Sequence, residues 1–138
     1  MFCQFDAFKE GGKMFWLDSD IEFKKKISER WLTELFDKQH LVFLGRKGFH
    51  SETGLVGFDT GHEDFKSFEE RYIATLKRGI IFQLERWHDC EAFDWAREDS
   101  GKDLSPFWQL GDNLHVWPKT VLEKYMVHRK GNRKNELG

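Results

Sequence analysis

Apolar residues along the chain recur with two different spacings, and the spacing assigns the elements. Between residues 18 and 39, Phe23, Ile27, Trp31 and Leu35 recur every four positions, and Ile21, Leu32 and Phe36 widen the stripe. A helix turns once in 3.6 residues, so this is one helical face. Ser19 or Asp20 is the expected cap, and the acids Asp20 and Glu22 suit the positive end of the helix. A second stripe, Phe65, Phe68, Tyr72, Ile73 and Leu76, predicts a helix over residues 62–79, closed by Lys77, Arg78 and Gly79. Pro118 opens a third expected helix over 118–130, with Gly131 just past its end.

The remaining apolar runs are short and bounded by turn residues, as strands are. Phe2, Phe5 and Phe8 precede the turn Glu10-Gly11-Gly12-Lys13, and Met14 to Leu17 follow it, so this opening reads as a β-hairpin. Leu41 to Leu44 and Leu55 to Phe58 flank Arg46-Lys47-Gly48 and read as a strand pair. The runs 80–87 and 113–117 are further strands. Between them, residues 88–110 mix aromatic residues with acids and with Ser-Gly and Ser-Pro breakers, and read as an irregular but structured excursion. The expected order is ββ–α–ββ–α–β–(irregular)–β–α. It describes an α+β fold with a mainly antiparallel sheet, about three helices, and those helices on one face. Residues 1–130 are expected to form one domain and residues 131–138 a frayed polar tail.

Composition narrows the function classes. The 138 residues carry a net charge of −2, which does not suit a general nucleic-acid binder. Residues 85–103 hold seven acids against three bases, and residues 119–138 hold six bases against two acids. That polarity suits docking to a protein or pairing with a second copy as a homodimer. Cys3 and Cys90 make no CxxC motif and no disulfide framework, so a reduced cytoplasmic chain is expected. No apolar stretch is long enough to span a bilayer. With 14 Phe and six Trp, aromatic residues make up 16% of the chain. Some of these are expected at a binding surface, above all Trp95 and Trp108 in the irregular segment, because Trp is enriched at interface hot spots.

Three polar groupings carry candidate chemistry. The string GFDTGHEDF, residues 57–65, places Asp59, His62 and Asp64 between a strand and a helix, with His50 across the preceding turn. A histidine among carboxylates can hold a divalent ion or act as a His–Asp acid–base pair. Thr60 with Glu63 three residues on also matches a capping box, and that structural reading is favoured. The turn of Arg46, Lys47, Gly48 and His50 can hold a phosphate, with Trp16 or Trp87 stacking a base. Cys90 beside His88 reads as a small apolar residue in a turn. No metal or cofactor is assigned, since no zinc, P-loop or dinucleotide motif is present.

The six residues GFDTGH resemble Gly-Phe-Asp-x-x-His strings of small bacteriophage proteins. The resemblance implies a phage or mobile-element origin and transfers neither a fold nor a role. A compact, aromatic-rich chain without a catalytic motif fits a small cytosolic binding protein that neutralises a protein partner, such as an inhibitor of a host defence system or a toxin-immunity protein. The alternatives are a metal-assisted or His–Asp phosphodiesterase or nuclease using Asp59, His62, Asp64 and His50, and a nucleotide-binding sponge using Arg46, Lys47 and the tryptophans.

Overall fold

A computed structural model describes residues 2–109 and 115–129. In chain order the elements are α1 (Phe2–Phe8), β1 (Lys13–Leu17), β2 (Ile21–Phe23), α2 (Glu29–Phe36), β3 (Leu41–Arg46), β4 (Phe49–Asp59), α3 (Phe65–Lys77), a 3₁₀ turn (Ile80–Gln83), α4 (Asp89–Arg97), β5 (Lys102–Asp103) and β6 (Met126–His128). The fold is α+β. A four-stranded sheet runs in the order β1-β4-β3-β5, and β2 with β6 forms a separate two-stranded sheet. All pairings are antiparallel except β3 with β5. Gly48, with φ of +81°, supplies the left-handed position in the turn from β3 to β4.

The larger sheet is buried on both faces, which explains its strand sequences. Strands covered on one side alternate apolar and polar residues, whereas strands covered on both read as continuous apolar runs. Leu41, Phe43, Val56 and Phe58 pack with Phe8 of α1, Phe65, Phe68 and Tyr72 of α3, and Phe93 of α4. Their neighbours Val42, Leu44 and Leu55 pack on the other face, against Leu35 and Phe36 of α2 and against Trp108, Trp117, Leu122 and Met126. Helices therefore lie on both faces, not on one as expected.

Several elements differ from the sequence reading, each for a physical reason. Residues 2–8 are a helix: Phe2, Phe5 and Phe8 are three apart, a helical spacing and not a strand's alternation. The long helix expected over 18–39 is only eight residues, Glu29–Phe36. Its cap is Ser28, whose Oγ accepts the Trp31 amide at 3.2 Å, and Asp37 ends it with φ of +46°. The first part of that stripe is β2, which pairs with β6 far along the chain, so its structure is set by a distant partner.

The run 80–87 is a 3₁₀ turn and a loop, not a strand. The excursion 88–110 contains α4 and β5. No strand covers His115–Trp117, and residues 118–125 form successive turns leading into β6 in place of a third helix. The tail, residues 131–138, lies outside the described residues.

Candidate functional site

Of the four candidate catalytic residues, His62 and Asp64 meet, with the His62 Nδ1 3.6 Å from the Asp64 carboxylate, but the four do not converge as one site. Asp59 pairs with Lys13 Nζ at 2.6 Å and accepts the Gly61 amide at 3.3 Å. The His62 Nδ1 accepts the Asp64 amide at 3.2 Å, which places the ring hydrogen on Nε2, facing the Lys38 carbonyl oxygen at 3.0 Å. Both ring nitrogens are thereby committed to backbone. Thr60 does not cap α3; its hydroxyl donates to the Gly12 carbonyl, and the N-cap residue is Asp64, without a side-chain bond to the helix. The string GFDTGHEDF is thus a junction, tying the β1 turn and the loop after α2 to the start of α3.

His50 lies nine residues back along β4, which at strand rise is about 30 Å from Asp59. Its Nε2 is 3.9 Å from Glu91 and its Nδ1 3.7 Å from Asp94.

His40 completes the junction. It is buried, and its ring centroid lies 5.6 Å from that of His62. Burial, and then the neighbouring His62, hold its pKa below the ordinary value of 6.5. The folded chain keeps this ring neutral, while the unfolded chain binds a proton near that ordinary value. In the window below about pH 6.5 the unfolded state therefore binds more protons, and acidification destabilises the fold. The melting temperature is expected to fall between about pH 7.5 and about pH 5.5, and the slope to flatten in His40→Gln. An equal slope in the variant would remove His40 from the acid response.

The second grouping converges in part. Arg46, Lys47 and Trp108 line one cleft of about 240 Å³ with Phe43, Phe49, Arg97 and Asp103. Its cations are largely spoken for. Arg46 donates to the carbonyls of His50 and Ser51, and its Nη1 is 3.5 Å from Glu52. Arg97 bonds Asp94 at 2.7 Å and lies 4.1 Å over the Phe43 ring. Arg46 and Arg97 are thus paired with Glu52 and Asp94, which reduces the positive charge the cleft offers a phosphate. Trp87 and Trp95 lie outside it. Trp108 is 8% exposed and belongs to the core, which corrects its expected place on an interaction surface. Cys90 is half-buried, and burial, with Asp89 beside it, pushes its thiol pKa up, away from nucleophilic use.

The most exposed aromatic pair was only half visible in the sequence. Phe82 and Trp87 are each 66% exposed and meet edge to face, with centroids 5.2 Å apart. Phe82 falls in the run 80–87, where the pattern predicts a strand and no contact residue. Behind the pair, Glu91 is buried, and its two carboxylate oxygens accept the amides of Glu85 and Arg86. Glu85, Arg86 and Asp89 are exposed around Trp87. A carboxylate on the rigid α4 helix therefore fixes a loop that holds two aromatic rings in solvent. Trp95, on the same helix, is 38% exposed.

Among the described residues, two groups bring three metal-capable side chains together: His40, His62 and Asp64, and Asp18, Asp20 and His128. In the first, His62 has no nitrogen to spare. No helix among the described residues is long and apolar enough to cross a membrane. No family model, no curated protein and no solved structure matches the chain.

Proposed function

We propose that the chain is a binding protein that holds, and by holding neutralises, a protein partner, with Phe82 and Trp87 as its anchor. The class is that of an inhibitor of a host defence system or a toxin-immunity protein. The observation that carries the reading is the exposed pair on a fastened loop. Large aromatic rings left in water are disfavoured unless something covers them, and Trp is the residue most enriched among interface hot spots. Fastening the loop before binding removes part of the ordering cost that otherwise reduces affinity. The exposed acids Glu85 and Asp89 suit a partner with basic groups around an apolar pocket.

The nuclease alternative keeps the His62–Asp64 pair but loses His50, which faces Glu91 and Asp94, and Asp59, which pairs with Lys13. The nucleotide alternative is supported by the meeting of Arg46, Lys47 and Trp108 but weakened by the pairing of Arg46 with Glu52 and the burial of Trp108.

The direct experiment is capture of a partner from the source cells on the wild-type chain, repeated with Trp87→Ala. A protein retained by the first and lost by the second supports the reading, and equal retention by both overturns it. The loop has its own test. Hydrogen bonds to a charged acceptor contribute about 1.5–3 kcal/mol each. Glu91→Ala is therefore expected to speed amide exchange at Glu85 and Arg86 on the order of tenfold or more, while α3 amides keep their protection.

A further inference from the structure

We propose that Asp18, Asp20 and His128 form a binding site for a divalent transition-metal ion of the Mn²⁺ or Zn²⁺ type. The three residues come together only in the fold. Asp18 follows β1 and Asp20 precedes β2, so both lie on the link between the two sheets, and His128 ends β6. Backbone bonds fix each of them. The Asp18 amide donates to the Gly54 carbonyl at 2.9 Å, the Arg129 amide donates to the Asp20 carbonyl at 2.9 Å, and His128 pairs with Ile21 in the small sheet.

The spacing of the donor atoms fits one ion. His128 Nε2 lies 3.0 Å from Asp20 Oδ1 and 3.6 Å from Asp18 Oδ2. Ligands bound at about 2.0–2.2 Å to a single ion stand roughly 2.8–3.6 Å from one another in octahedral or tetrahedral arrangement. One imidazole and two carboxylates suit first-row divalent ions better than Ca²⁺ or Mg²⁺, which take oxygen ligands, and the absence of thiolate disfavours soft ions. Three protein ligands leave further positions on the ion open.

The surroundings favour a dication over a simple ion pair. Asp18 sits in the field of three more carboxylates, Asp20, Glu52 and Asp89, and among the described residues its one ion-pair partner is His128. His128 is 1% exposed, and its Nδ1 is buried with no hydrogen-bond partner, so the ring meets carboxylates through Nε2 alone. Gly54 makes the placement of the ring possible. A Cβ there would stand 2.7 Å from His128 Cε1, 3.0 Å from its Nδ1 and 3.2 Å from Glu52 Oε1. Glu52 Oε1 thus also lies beside Gly54, near the ring.

The test titrates Mn²⁺ into the metal-free full chain and reads free Mn²⁺ by its electron paramagnetic resonance signal, with Zn²⁺ as competitor. One site per chain is expected. Asp18→Asn and Asp20→Asn should each weaken it by roughly tenfold or more, and Asp64→Asn, in the other three-residue group, should leave it unchanged. Circular dichroism confirms that each variant is folded. Asp18 is the more exposed of the two aspartates, so its variant keeps the test valid if Asp20→Asn fails to fold. Absence of binding, binding indifferent to the Asp18 change, or binding lost with Asp64 overturns the assignment.

Discussion

Trp117→Ala is expected to cost about 3–5 kcal/mol of folding stability, the largest loss foreseen for a single substitution in this chain. Trp117 is 1% exposed and is the bulkiest of the fully buried side chains. Its indole nitrogen donates to the Met126 carbonyl at 3.2 Å, and its ring lies 5.3 Å from that of His128. It joins Leu122 and Met126 against Val42, Leu44 and Leu55 of the large sheet. The segment around it is built of turns, so no helical hydrogen bonding holds the segment in place independently. Trp117 therefore shares with Val116, Leu122 and Met126 the attachment of residues 115–128 to the sheet, and alanine would remove both its buried area and the buried hydrogen bond. A urea titration measures the loss directly. A midpoint shift worth less than about 1 kcal/mol would mean that this segment does not cover the sheet's second face.

The same segment shows where sequence pattern stops being informative. Val121, Leu122, Tyr125 and Met126 have the spacing of a helical face, yet residues 118–125 form turns. What decides their structure is the pairing of Met126–His128 with Ile21–Phe23, about a hundred residues earlier, and no local window contains that partner. Sequence pattern and structure coincide where local signals and tertiary packing agree. The α3 stripe of Phe65, Phe68 and Tyr72 ends at Arg78 and Gly79 as expected, and the hairpin turn falls at Lys47 and Gly48.

The candidate site is less legible, because nearness in sequence is not nearness in space. Asp59, His62 and Asp64 stand within six positions, and His62 does meet Asp64, but Asp59 pairs with Lys13 and the histidine that joins His62 and Asp64 is His40, not His50. Asp18, Asp20 and His128 do meet, and nothing in the string DSD announces a histidine more than a hundred positions away. Tryptophan content was equally ambiguous. Composition counts Trp87, Trp108 and Trp117 alike, and only the fold separates the first, in solvent, from the other two in the core.

Trp87→Ala is expected to weaken partner binding by about 2 kcal/mol or more, roughly thirtyfold in Kd, while the melting temperature stays close to that of the wild type. The two effects separate because the ring is 66% exposed and touches the core little, so its removal leaves no cavity. Phe82→Ala should act in the same direction. Changing both should cost less than the sum, since the rings support each other edge to face and residues in contact are not additive. Salt provides a second reading of the same surface. Exposed Glu85 and Asp89 act over about 10 Å at 0.1 M salt, so added salt should slow association with a basic partner and leave dissociation nearly unchanged. Trp87→Ala should do the reverse, raising the dissociation rate with little effect on association, because the loss of a buried anchor is felt after encounter. Surface plasmon resonance of the captured partner at two salt concentrations resolves both rates. A variant that binds like the wild type, or one that binds weakly only because it melts early, would remove Phe82 and Trp87 as the anchor.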